Sequence, residues 1–80
     1  MILWNQVSVM KITDVKDIGL EIKKRRKALG YTQADISDYT GLSISFIADV
    51  EHGKSTVEFG KVLKLVNILG LDCLLQVRGE

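Results

Sequence analysis

With one cysteine among its 80 residues, the chain cannot form an internal disulfide. It has one histidine as well, so His52 and Cys73 stand as isolated side chains with no metal-ligand cluster around either. No apolar run approaches the ~20 residues that span a bilayer. The apolar residues at the N-terminus follow no positively charged lead, so the expectation is cytosolic residence without a secretion signal. Neither a Ser/His/Asp nor a Cys/His constellation is evident, and there is no Gly-rich phosphate loop. An enzyme is therefore not expected, nor any cofactor or metal.

Net charge is scarce too, at +1, but its distribution is uneven. Residues 1–31 carry +4, residues 32–53 carry −4 with no Lys or Arg, and residues 54–80 carry +1. Attraction to an anionic partner must then come from the flanks of the acidic stretch. Most of the positive charge is Lys23-Lys24-Arg25-Arg26-Lys27. On a helix such a run goes all the way round, so it cannot form one patch. A solvated face supported by Glu21 and Arg25 at i, i+4 is the reading for most of it.

What is present is punctuation over residues 32–54 (TQADISDYTGLSISFIADVEHGK). Thr32 can cap a helix by accepting a first-turn backbone N–H, leaving Gln33 at its start. Ala34, Ile36 and Tyr39 form its apolar stripe. Gly41 can end it in a left-handed conformation without steric cost. Leu42 fills the corner, and Ser43 caps a second helix over Ile44–Glu51. There Ile47 and Val50 point inward, with Phe46 beside Val50, while Ile44, Ser45, Ala48 and Asp49 face outward. A tight turn among small residues lets two such helices cross steeply, the layout that offers one of them to a DNA major groove.

The flanks read coherently. Thr13 or Asp14 can cap an earlier helix with Val15, Ile18, Ile22 and Leu29 on its inner face, ended by Gly30. Thr56 can cap a later helix whose stripe is Val62, Leu63, Val66 and Leu69, joined by Phe59 and ended by Gly70. Gly60 weakens that helix by about 1 kcal/mol, less near its start. Residues 71–78 then switch to period two, with Leu71, Cys73, Leu75 and Val77 on one side. A lone strand leaves its backbone unsatisfied and needs a partner, for which residues 6–12 are an internal candidate. Hydrophobic content of 46% suffices for one core, although domains this short often gain from oligomerisation.

The register T-Q-x-x-I-S-x-x-x-G-L-S-x-x-x-I-x-x-x-E-x-G-K resembles the Xre/phage-repressor helix-turn-helix family over roughly residues 14–69. Gln33, Gly41, Ile47, Glu51 and Gly53 fall at that family's spacing. Ser37 stands where the family usually has Ala, and Ala48 where Ser is common. From Phe46 onward the chain is similar to HipB-like antitoxins: F-I-x-x-x-E-x-G-K-x-T-V, then a K-V-L helix ending in L-G-L, then a short terminal strand. Met10-Lys11 resembles the usual start of such proteins.

The resemblance implies an all-α, lambda-repressor-like helix-turn-helix bundle of four to five helices, with a C-terminal β-strand pairing across a dimer. Residues 1–12 would be an N-terminal extension with a short strand, 13–70 the helix-turn-helix domain, and 71–80 the dimerisation strand and tail. In a dimer Leu71, Cys73, Leu75 and Val77 would meet the same strand of a second subunit, with Leu3 and Trp4 covering the ribbon or serving a protein partner. Implied partners are double-stranded DNA at a palindromic operator, a second copy of the chain, and a HipA-type serine/threonine kinase toxin. A stand-alone Xre repressor without a toxin is one alternative; a protein-interaction module that has lost DNA binding is another.

Roles for single residues follow. Gln33, at a helix N-terminus and at the matching family position, can contact a phosphate. Ser43 and Ser45 can donate to phosphates or base edges, and Ile44 can meet thymine methyls. Asp49 can accept from cytosine N4; the competing reading is a solvent-facing acid or a cap for neighbouring side chains. Lys54 is a phosphate-clamp candidate, with Ser55 a weaker one. By resemblance, Arg26 pairs with Glu51 and pins the first helix to the helix-turn-helix.

Overall fold

The computed structural model describes residues 9–79, which form four helices: α1 (Val15–Ala28), α2 (Gln33–Thr40), α3 (Ile44–Glu51) and α4 (Phe59–Ile68). No strand occurs among the described residues. The expected features at Leu3, Trp4 and residues 6–8 lie outside them.

Each helix starts where a side chain can take the orphan N–H groups of a first turn. Asp14, rather than Thr13, caps α1: its carboxylate accepts from Lys16, and Asp17 reaches back to the backbone of Asp14. Thr32 and Asp35 form the same reciprocal box at α2. Ser43 caps α3 by accepting from Phe46 at 3.0 Å. For α4 the cap is Glu58, not Thr56, so that helix begins two residues later than a threonine cap would allow. A longer carboxylate there reaches the Lys61 N–H, and Thr56 is left in the preceding turn.

The core is built from Ile22 of α1, Ile36 of α2, Leu42 in the turn, Ile47 and Val50 of α3, and Val62, Leu65, Val66 and Leu69 at α4. Ile18, Tyr31, Phe46, Val57 and Leu71 pack on its edge. Three expectations need correction. Leu65, not Leu63, is fully buried, so the stripe of α4 runs at i, i+3, i+4, i+7. Phe59 is 59% exposed and Leu29 lies outside α1 as its exposed C-cap; neither joins the inner face.

The basic run is put to several uses. Lys24 pairs with Glu21 at 3.7 Å, whereas the Arg25 Nε–H donates to the Leu69 carbonyl at 2.8 Å and so ties α1 to the end of α4. The expected Glu21–Arg25 pairing is thereby replaced. Beyond Leu71, which is half-buried, residues 72–79 are exposed and residues 71–77 carry no secondary structure in the single chain. No helix is long and apolar enough to cross a membrane.

Candidate nucleic-acid interface

The α2–turn–α3 unit is set by its corner. Gly41 adopts φ 77°, the left-handed conformation that L side chains avoid, and its N–H closes α2 on the Ser37 carbonyl. Thr40 is buried beside it: its hydroxyl donates to the Ile36 carbonyl at 2.7 Å and accepts from the Leu42 N–H at 3.1 Å. From α4, the Lys64 ammonium donates to the Thr40 carbonyl at 2.8 Å, a cation at a helix C-terminus. These bonds fix the angle at which α3 leaves the turn.

Behind α3 the packing is close. Ile47 and Val50 are fully buried. Gly19 of α1 faces the C-terminal end of α3 so tightly that a Cβ there would collide with the Val50 carbonyl oxygen. Gly53, at φ 79°, backs onto Lys16, whose Cγ would lie 2.6 Å from an added Cβ. A four-residue hydrogen-bond network completes the bracing. Arg26 donates from Nε to Glu51 Oε2 at 2.7 Å and from Nη2 to Oε1 at 3.0 Å, while its Nη1 holds the Tyr31 carbonyl at 2.8 Å. Gln33 donates its amide to the same Oε1 at 3.2 Å. Burial alone would raise the Glu51 pKa, but the hydrogen bonds from Arg26 and Gln33 and the charges of Arg26 and Lys23 outweigh it, and the carboxyl lies below its ordinary value. The same bond from Glu51 raises Arg26.

With its inner side buried, α3 leaves Ile44, Ser45 and Asp49 accessible on the outside; Ile44 is 48% exposed at the first turn. Ser43 spends its oxygen on the cap. Asp49 meets Lys54 across 3.5 Å just beyond the helix, and Ser55 is exposed next to it. Lys61 of α4 stands 5.7 Å over the ring of Phe46. Lys54, in the loop after α3, and Lys61 of α4 thus lie beside an acidic unit. Among the described residues no group of carboxylates, thiols and imidazoles could hold a metal ion. Of the proposed dimerisation residues, Leu71 packs on the core, whereas Cys73, Leu75 and Val77 stand free in the single chain.

Gly19, Lys64 and the Gln33–Glu51 bond were not legible from sequence. Gly19 sits mid-helix, where a glycine is ordinarily a defect, and that anomaly was the available signal for close backbone approach. A glutamine at a helix N-terminus points to a phosphate contact, and nothing in the local sequence indicates the Glu51 carboxylate 18 positions away.

Two short helices joined at a left-handed glycine, the second braced from within and bare outside, define a helix-turn-helix protein. A family model described as helix-turn-helix matches residues 22–75, and the chain belongs to that family, whose members are DNA-binding regulators and not enzymes. An uncharacterized HTH-type transcriptional regulator, y4mF, of Sinorhizobium fredii (strain NBRC 101917 / NGR234) is 33% identical over 70 residues, covering 88% of this chain and 92% of the relative. Among solved structures, a HipB–O4 20mer complex matches with TM-score 0.80 at 20% identity, covering 88% of this chain and 99% of that one. A HipA–HipB–O2–O3 complex matches with the same score, identity and coverage. The fold is HipB-like.

Proposed function

We propose that this helix-turn-helix DNA-binding regulator is a homodimeric repressor that lays α3 in the major groove of a palindromic operator near its own promoter. The observation that carries this reading is the bare outer side of α3, held rigidly from behind by Gly19 and by Arg26, Glu51 and Gln33. Beyond the cap and the Glu51 bond, the Ser43 hydroxyl hydrogen and the second Gln33 amide hydrogen, with Ser45, donate to the backbone or bases, Ile44 meets thymine methyls, and Lys54 and Ser55 clamp a phosphate. The protein acts in the bacterial cytoplasm, at the nucleoid when operator-bound. Repression follows from occupancy: two reading helices about 10 bp apart cover the site that RNA polymerase needs.

A structural neighbour that includes both HipA and HipB supports a second role, restraint of a HipA-type kinase toxin encoded beside this chain. Gel shift on the promoter region across a salt series tests the first role. Binding that falls steeply with salt is expected, since each phosphate contact adds about 0.9 to the logarithmic slope. No shift even at low salt would favour a protein-interaction module, a reading that the −4 charge of residues 32–53 keeps in play. Co-purification of a neighbouring kinase-like protein with the chain tests the toxin role; its absence would leave a stand-alone repressor.

A further inference from the structure

The residues of α3, ISFIADVE, include no Lys or Arg, so the helix lacks the cation that makes the commonest specific contact, to guanine O6 and N7. They include no Asn or Gln either, and hence no bidentate reader of adenine. On the outer side, the groups able to hydrogen-bond a base edge are the Ser45 hydroxyl and the Asp49 carboxylate, one turn apart. A hydroxyl both donates and accepts, whereas a carboxylate only accepts. The major groove offers it amino donors on cytosine N4 and adenine N6; guanine O6 and N7, thymine O4 and every phosphate repel it. Adenine sets the N7 acceptor beside its amino group. Cytosine does not, and suits a carboxylate better.

Asp49 is also coupled to a neighbour. Its Oδ2 lies 3.5 Å from the Lys54 Nζ, with both side chains substantially exposed and free to rearrange. We propose that Asp49 and Lys54 form a two-point discriminator: the carboxylate takes the amino group of one cytosine in each half-site, and the ammonium takes the adjacent phosphate. On other sequences the carboxylate faces acceptors, keeps Lys54 to itself and withholds that cation from the DNA backbone. Selectivity thus arises as much from weakened non-specific binding as from the cytosine contact. The inference rests on α3 entering the major groove.

Selection from duplexes randomised across the half-site, for the wild type and the variants Asp49→Ala, Asp49→Asn and Lys54→Ala, tests it. The wild type should recover a site with one cytosine per half-site whose replacement costs about tenfold in affinity. Asp49→Ala should lose that preference and bind unselected duplex several-fold more tightly. Asp49→Asn, whose amide both donates and accepts, should move the preference toward adenine. Lys54→Ala should weaken binding to the cytosine site and reduce its salt slope by about one per subunit, while changing binding to unselected duplex little. An Asp49→Ala protein that still selects cytosine, or binds unselected duplex no better, would overturn the discriminator while leaving the operator reading intact. A wild type that selects no sequence at all would overturn both.

Discussion

Arg26 and Glu51 lie 25 positions apart in sequence and meet through two hydrogen bonds, at 2.7 and 3.0 Å, with 8% and 5% of their surfaces exposed. The pair joins α1 to the last residue of the reading helix. Removing one member strands the other charge in a site that water scarcely reaches. Glu51→Ala should therefore cost ~3 kcal/mol. For a domain of this size that corresponds to a melting point lower by roughly 10 °C or more. Calorimetry or circular dichroism melting checks it; lost DNA binding at an unchanged melting point would make Glu51 a DNA contact instead.

The same carboxyl predicts an acid-side loss of stability. Its folded pKa lies below the ordinary 4.5, so the unfolded chain takes up the proton more readily. The contribution is fully present above that value and is lost as pH falls through the folded pKa. Melting temperature recorded against pH should drop on the acid side in the wild type. A Glu51→Gln protein should start lower and show a flatter acid limb; an equally steep limb would assign the loss to other carboxyls.

Gly19 supplies a test of rigidity. Its Cβ would meet backbone, the Val50 carbonyl, which has no rotamer to yield. Gly19→Ala should lose about 1–3 kcal/mol despite alanine's better helix propensity. It should also weaken operator binding by displacing α3. A variant as stable as the wild type would show that the two helices can separate without cost.

Leu75 is fully exposed in the single chain, and Leu74 and Val77 are 78% and 68% exposed beside it. Such a concentration of apolar surface in a terminal segment calls for a partner. Leu75→Asp should give a monomer by sedimentation and should weaken operator binding, because two linked half-sites bind far more tightly than one. A wild type that is already monomeric would refute the pairing.

Much of this site was legible in the residues because it depends on local chemistry. Thr32, Gly41 and Ser43 act within one turn of themselves, and their caps follow from side-chain length and backbone conformation alone. Ile47 and Val50 follow from spacing. The α4 stripe is ambiguous in sequence because V-L-K-L-V offers two overlapping apolar faces, and only packing against the rest of the core chooses Leu65 over Leu63. Tyr39, expected on the α2 stripe, is 66% exposed and packs edge-on to Tyr31. A two-turn helix has room for few inward positions, and Ile36 and Thr40 fill them. The terminal strand needs hydrogen-bond partners from outside the segment, which no period-two pattern can supply.

Adjacent arginines fasten α1 in two places, Arg26 to the end of α3 and Arg25 to the Leu69 carbonyl where the chain leaves α4. The tail's point of departure and the reading head are therefore bolted to one strut. In a pair of copies joined through their tails, such a bracket sets the span between the heads with little give. Lengthening the operator's spacer by one base pair turns the far half-site by about a tenth of a helical revolution, and a stiff calliper cannot follow it.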